Sequence, residues 1–173
     1  MSVEIVPYDT GWAKAFEVEA SALKAALTGV FISLHHIGST AVPNIMAKPI
    51  IDILGEVHAL YTIDDQTDAI EAVGYRAMGE HGIEGRRYFR RHDPSGRRSH
   101  HLHIYQAGSA GVERHIALRD YLRANPQIAH AYSSLKIKLI REVGTTGKTY
   151  ADGKASFVDA VETDAIKWFR RRL

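Results

Sequence analysis

A lone aspartate inside an isoleucine-rich run most constrains how this chain can fold. Asp52 lies in the stretch IIDILGEV, with two isoleucines before it and Ile53 and Leu54 after it. A short apolar run of this kind is typical of a buried strand. A carboxylate at such a position is costly unless it is paired, hydrogen-bonded or bound to a metal. The sequence therefore predicts a buried strand that presents Asp52 to a specific partner, and Lys48 or a later arginine is the simplest structural choice.

The patterns around this strand predict one domain, residues 1–173, of the α+β or mixed α/β class. We expect a mixed sheet with helices packed on it and a helical C-terminal part. The glycine- and threonine-rich stretch GTTGKTYADGK, 144–154, is predicted to be a connection, because it lacks the spacing of a P-loop. The predicted helices are 12–28, 112–124, 126–143 and 154–171. A further helix is predicted to begin at a cap, Thr62, Asp64 or Asp65, and to end at Val73. The predicted strands are 31–39, 50–57, 75–78, and a hairpin of 86–92 with 97–106 around Asp-Pro-Ser-Gly.

Composition excludes several classes of protein. The 173 residues contain no cysteine, which rules out disulfides and thiolate metal sites. The sequence has no run of eighteen or more apolar residues and no signal-peptide pattern, so we expect a cytosolic protein without a membrane partner. The net charge of +2 gives no strong nucleic-acid signal. Six arginines within 86–98 nevertheless make the hairpin locally basic, which favours either an anionic ligand or a solvated surface.

Two histidines on a later predicted strand are candidate partners of the aspartate. His101 and His103 are two residues apart, so in a strand both side chains project from the same face. Together with Asp52 they would form a set of two imidazoles and one carboxylate, which suits a divalent metal. The alternatives are a hydrogen-bonding pair for the carboxylate and a general base. His36 is a candidate fourth member, whereas His100 is expected at the surface or edge on the opposite face.

Further candidates are groups that bind phosphate. The amides around Gly38, Ser39 and Thr40 form either an anion-binding nest or an ordinary turn at the end of a strand. Lys136 follows Tyr132 by one helical turn. A triphosphate would use such cations. Tyr150 and Lys154 are likewise four residues apart on one helical face, and Arg119 with Asp120 is predicted to be a structural ion pair.

The chain resembles the GrpB family over nearly its whole length, from Tyr8 to about Phe157. The segments that carry the resemblance are HIGSTAVPNIMAKPIIDIL, HHLHIY, LRDYLRANP, AYSSLKIKL and YADGK. The resemblance implies the fold of the DNA polymerase β-like nucleotidyltransferase superfamily. Gly38 and Ser39 match its glycine-serine element, and Asp52 matches its first strand carboxylate. Leu54 stands where a second acid is expected, and Glu56 lies on the order of 13 Å from the first if the strand is extended.

We therefore expect a nucleotidyltransferase-like protein that binds a nucleotide or another phosphorylated small molecule, with a nucleoside triphosphate as the substrate of a nucleotidyl transfer. The alternatives are a non-catalytic ligand-binding or sensing domain, favoured by Leu54, and a metal-dependent hydrolase. The expected cofactor is a divalent metal, Mg, Mn or Zn. The predicted catalytic and metal-binding residues are Asp52, His101 and His103. The predicted ligand-binding residues are Gly38, Ser39, Lys48, Lys136, Tyr150 and Lys154.

Overall fold

The computed structural model describes residues 4–143 and 147–173. The described chain forms one five-stranded sheet with helices on both faces, which confirms the predicted α+β class. The helices are α1 (Gly11–Ala26), α2 (Tyr61–Asp64), α3 (Thr67–Ala72), α4 (Ala110–Ala124), α5 (Pro126–Val143) and α6 (Gly147–Arg170). The strands are β1 (Phe31–Ile37), β2 (Ile51–Val57), β3 (Tyr75–Ala77), β4 (Arg86–His92) and β5 (Arg98–Gln106).

The sheet topology brings the aspartate and the histidines together. The strand order is β1-β2-β5-β4-β3, in which β2 and β5 are parallel and the other neighbours are antiparallel. Asp52 lies opposite His101, and Leu54 lies opposite His103. Because side chains at matched positions of neighbouring strands project from the same face, all four belong to one face of the sheet.

Two apolar layers hold this sheet in place. On one face, α1 and the short helices α2 and α3 bury Ile53 and Leu102, both fully inaccessible. On the face that carries Asp52, α4 packs through Val112 onto Leu54 and Tyr105. The helices α5 and α6 extend this second layer and pack on the connection between β1 and β2. The Asp52 face is thus covered by helices at one end and left open beside the aspartate.

The last helix begins earlier than the sequence predicts. Residues 144–146 lie outside the described part, but the rest of the predicted connection, from Gly147, belongs to α6. Its two glycines weaken the helical signal. Helix packing nevertheless favours glycine at position 153, because a Cβ atom there would lie 2.5 Å from Leu139 of α5. The glycine therefore lets the two helices approach closely, and Tyr150 is placed on a helix instead of a loop.

The region of the predicted helix that ends at Val73 holds two short helices, α2 and α3. At the break, the Thr67 hydroxyl donates to the carbonyls of Ile63 and Asp64, which competes with continued helical bonding. In the described ranges, none of the helices is both long and apolar enough to cross a membrane.

Candidate functional site

The first part of the candidate site is the Asp–His cluster, defined as Asp52, His101 and His103. Asp52 Oδ1 lies 3.0 Å from His101 Nδ1 and 3.5 Å from His103 Nε2. One ligand atom from each of the three residues lies within 4.8 Å of the others. The side chains are half-buried, with 26% of Asp52 exposed. The parallel pairing of β2 with β5 therefore gathers one carboxylate and two imidazoles at an accessible point.

Asp52 is held as a carboxylate by its histidine neighbours. Burial raises the pKa of Asp52, but hydrogen bonds from His101 and His103, with the electrostatic attraction of these rings, outweigh burial and hold that pKa well below its usual range. Neither Lys48 nor an arginine forms an ion pair with Asp52 among the described residues. The simplest structural partners suggested by the sequence are therefore wrong, and the imidazoles take that place.

Gly38, which precedes the 3₁₀ turn Ser39–Ala41, leaves space for the Asp52 carboxylate. Gly38 has φ +72° and ψ −174°, a combination that only glycine adopts readily. A Cβ atom there would lie 2.5 Å from Asp52 Oδ2. The Gly-Ser turn is thus more than a strand end, because its backbone packs directly against the Asp–His cluster.

The second part is a cavity of about 240 Å³ that opens beside the aspartate. We call it the lysine pocket. Its walls come from the connection between β1 and β2, from β2 and β5, and from α5 and α6. The lining residues are Ser39, Thr40, Lys48, Ile50, Asp52, His101, Lys136, Tyr150 and Lys154. Most of the ligand-binding residues predicted from the sequence therefore meet in one cavity, and Gly38 adjoins it through Asp52.

Lys136 is the most deeply buried cation of this pocket, with 2% of its surface exposed. Its Nζ donates to Ser39 Oγ at 3.1 Å and to the carbonyl of Met46. It also lies 4.3 Å from the centre of the Tyr132 ring, one turn earlier on α5. Burial, and secondarily the charge of Lys154, lower the pKa of Lys136 to about 7. Near neutral pH this lysine is therefore ready to take up a proton when an anion arrives.

Two further lysines are arranged around one tyrosine. Lys48 Nζ lies 4.8 Å and Lys154 Nζ 5.2 Å from the centre of the Tyr150 ring. Burial lowers the pKa of Lys48, and the neighbouring Lys154 lowers it further. None of the three pocket lysines forms an ion pair within the described ranges. The pocket therefore carries positive charge that an anionic ligand would balance.

Two of the other predicted histidines lie elsewhere. His36 is on the opposite face of the sheet, stacked on Phe16 with ring centres 5.1 Å apart, and its Nε2 lies 2.9 Å from Thr40 Oγ1. It therefore does not join the Asp–His cluster. His100 is on the opposite face as predicted, but it is not at the surface. Only 17% of its side chain is exposed, and it lies 3.9 Å from the buried Glu19.

The position at which a second acid was expected belongs to the hydrophobic core. Leu54 is fully buried under α4, so this position offers no metal ligand. Glu56, the next acid along β2, is bound to His35 at 2.6 Å and does not substitute. Arg119 and Asp120 form the predicted ion pair, at 2.7 Å.

A second group of polar side chains beside the cluster was not predicted as a unit. His115 on α4 lies with its ring 5.5 Å from that of His103, and burial lowers the pKa of His115 to about 3. Tyr88 on β4 contacts the rings of His101 and His103. The alternation of β4 was the available signal for Tyr88. No comparable signal was available for His115, because its contact with His103 depends on how α4 crosses the sheet.

Comparison with solved structures defines the class of fold. The GLD-2/RNP-8 complex matches with a TM-score of 0.57 at 12% identity, over 84% of this chain and 54% of that chain. Cid1 in complex with its short product ApU matches with a TM-score of 0.50 at 12% identity, over 75% of this chain and 41% of that one. At such identities the likeness concerns the fold alone. The chain has a nucleotidyltransferase-like fold.

The family follows from closer matches, and the chain belongs to the GrpB family. The family model described as GrpB protein matches residues 2–164. A crystal structure of conserved protein GrpB from Enterococcus faecalis matches with a TM-score of 0.90 at 41% identity, over 96% of this chain and 99% of that chain. UPF0157 protein YqkA of Bacillus subtilis is 41% identical over 170 residues, 98% of this chain. The chain spans only 49% of the length of that relative.

Proposed function

We propose that this protein binds a nucleotide or another phosphorylated small molecule in the lysine pocket and transfers a nucleotidyl group from it. The observation that carries the proposal is that positively charged lysines and the Asp52 carboxylate line the same cavity. Three lysines that form no ion pair with a described carboxylate line one part, and the Asp–His cluster borders the other. Lysines are suited to binding phosphates, and the Asp–His cluster is suited to binding a divalent cation.

The lysine pocket supplies the groups that would hold a polyphosphate. Lys48 and Lys154 lie over the Tyr150 ring, and Lys136 donates a hydrogen bond to the Ser39 hydroxyl. Phosphate oxygens would gain charge-assisted hydrogen bonds from these ammonium groups. The volume of about 240 Å³ is small for a whole nucleotide. The pocket therefore suits the phosphates and leaves the base outside.

The Asp–His cluster fits one divalent cation. One oxygen and two nitrogen donors within 4.8 Å suit Mn or Zn, with Mg as the harder alternative. A second ion would need a further carboxylate, and Leu54 occupies that place. When bound, the cation would neutralise charge on the transferred phosphoryl group. Asp52 and the histidines would position it at the mouth of the lysine pocket.

In the proposed transfer, a hydroxyl oxygen of the acceptor forms the new bond to the α-phosphorus of the nucleotide. The bond from that phosphorus to the oxygen bridging to the β-phosphorus breaks, and pyrophosphate leaves with the electron pair. The hydroxyl proton passes to solvent. The pocket lysines stabilise the charge that grows on the leaving pyrophosphate.

Calorimetric titration with ATP and CTP, with and without Mg, Mn or Zn, tests the binding step. We expect Lys136→Met to weaken nucleotide binding about tenfold to a hundredfold, because it removes a charged donor. Lys138→Met is the matched control, since Lys138 is on the same helix but exposed and bound to Glu142. Equal affinities of the two variants would overturn the assignment of the pocket.

A specific observation favours a second candidate, a ligand-binding domain without catalysis. Leu54 removes the second carboxylate, and Arg86 Nη1 lies 3.5 Å from His103 Nδ1. A guanidinium only donates, so this contact makes Nδ1 an acceptor and leaves the proton on Nε2, facing Asp52. The histidines would then serve as partners of the carboxylate. Nucleotide binding without pyrophosphate release, across metals and acceptors, would favour this candidate over transfer.

A further inference from the structure

The arginines of β4 are divided unequally between the two faces of the sheet. On the α1 face, Arg87 binds Asp64 and Arg91 binds Glu19, each with a shortest distance of 2.5 Å. On the face that carries the Asp–His cluster, Arg86 and Arg90 form no ion pair with any described carboxylate. Arg86 is buried and Arg90 is partly buried. Positive charge in such a place is costly unless it is compensated, so these two guanidiniums favour a negatively charged ligand.

These two guanidiniums flank one aromatic ring. The Cζ atoms of Arg86 and Arg90 lie 4.8 Å and 5.1 Å from the centre of the Tyr88 ring. The same ring lies 5.0 Å from that of His103. We call the group of Arg86, Tyr88 and Arg90, together with His81, the arginine face. It adjoins the Asp–His cluster from β4, on the side of β5, whereas the pocket lysines lie near the connection between β1 and β2.

A constrained loop places an exposed imidazole over this group. His81 has φ +48°, in the left-handed region that residues other than glycine rarely adopt. Arg86 secures this conformation by donating to the carbonyls of Glu80 and His81. His81 stacks on Tyr88, and its Nε2 lies 2.7 Å from Arg90 Nη2. Because a guanidinium only donates, the His81 ring is neutral, and a strained backbone of this kind is typical of functional sites.

We infer that the arginine face binds an anionic group, a carboxylate or a phosphate, on the acceptor of the proposed transfer. The inference rests on the proposed function. In an in-line displacement the entering oxygen and the leaving pyrophosphate lie on opposite sides of the α-phosphorus. The lysine pocket would hold the leaving side. The arginine face adjoins the cluster from the other strand, so an anion held there would direct its own hydroxyl toward the reacting phosphorus.

Titration with inorganic phosphate and with malonate tests the anion site without any nucleotide. The readout is the ¹H–¹⁵N signal of the His81 ring in histidine-labelled protein. We expect both wild-type protein and Lys154→Gln to show saturable shifts of the His81 signal, and Arg90→Gln to lose them. Arg87→Gln, on the same strand but the opposite face, should behave as wild type.

The two probes separate the two anion classes. A site for phosphate should bind inorganic phosphate more tightly than malonate, and a site for carboxylates should show the opposite order. A His81 signal that stays unchanged while phosphate saturates the lysine pocket would overturn the inference. Anion-dependent shifts of the His81 signal that persist in Arg90→Gln would also overturn the inference. Failure of nucleotides to bind would count against the proposed function alone, because the His81 titration needs no nucleotide.

A turnover measurement extends the test if transfer is detected. Hydroxyl compounds with and without an anionic group are compared as acceptors of label from α-³²P nucleotide. We expect Arg90→Gln to raise the KM for an anionic acceptor about tenfold to a hundredfold and to leave the KM for the nucleotide unchanged. Equal use of neutral and anionic acceptors by wild-type protein would contradict the inference.

Discussion

At the residue scale, Gly38 shows how one backbone position supports the whole cluster. Its φ of +72° with an extended ψ is accessible almost only to glycine, and a side chain would meet Asp52 Oδ2 at 2.5 Å. We expect Gly38→Ala to lower the free energy of unfolding by about 2–3 kcal/mol and to displace the carboxylate. Urea unfolding and metal titration measure the two effects.

Gly29→Ala is the control for this substitution. Gly29 also has a positive φ, +77°, but no atom lies within 4 Å of the Cβ position. It should cost only the backbone strain, about 1 kcal/mol, and leave metal binding intact. If the two variants lost stability equally and both bound metal as wild type does, the contact with Asp52 would be of no consequence.

Lys136 makes the stability of the protein depend on pH in a defined window. Its pKa is about 7 in the folded chain and near 10.5 when exposed. Between these values the unfolded chain holds a proton that the folded chain lacks, so the free energy of unfolding rises as the pH increases. Below pH 7 the penalty is complete, on the order of 5 kcal/mol. Denaturant melts from pH 6 to 9 should show this rise in wild type and in Lys138→Met.

The same melts of Lys136→Met should lack most of that rise, because the titrating ammonium is gone. A slope that persists in Lys136→Met would assign the titration to another group. Nucleotide binding near pH 8 should also draw protons into the wild-type protein. Calorimetry in buffers of different ionisation enthalpy measures that uptake, since each bound proton adds the heat of ionisation of the buffer.

At the element scale, β2 explains why this chain does not carry a second metal carboxylate. Leu54 is fully buried against Ile37, Tyr105 and Val112, so the position belongs to the core under α4. We expect Leu54→Ala to cost about 2–5 kcal/mol. Leu54→Asp should cost more, because it adds an unpaired buried charge, and it should not raise the number of metal ions bound. A stable Leu54→Asp protein with two bound ions would contradict this account.

The sequence predicted most elements but not every contact between them. The two-residue periodicity of β5 was sufficient to place His101 and His103 on one face, and the apolar run around Asp52 was sufficient to identify β2. The parallel pairing that joins them was not predicted, because it depends on where a strand distant in sequence enters the sheet. His36 and the start of α6 were wrongly predicted, because strand register and close helix packing depend on distant residues.

At the scale of the whole molecule, the polar groups that surround the three pocket lysines come from three parts of the chain outside the sheet. The connection between β1 and β2 supplies Ser39 and Lys48, α5 supplies Lys136, and α6 supplies Tyr150 and Lys154. A ligand that contacts all three would join the helical layer to the sheet. Such a ligand stabilises the folded state by about 2.7 kcal/mol at a concentration one hundred times its dissociation constant.

We expect this stabilisation to be concentrated at the start of α6, because its side chains form the outer wall of the pocket. In hydrogen exchange, a saturating nucleotide should slow the amides of 148–156 more than those of the last turns of α6. Lys154→Gln should lose this local protection. Lys167→Gln, exposed near the end of the same helix, should retain it. Protection confined to the sheet would exclude α6 from the binding site.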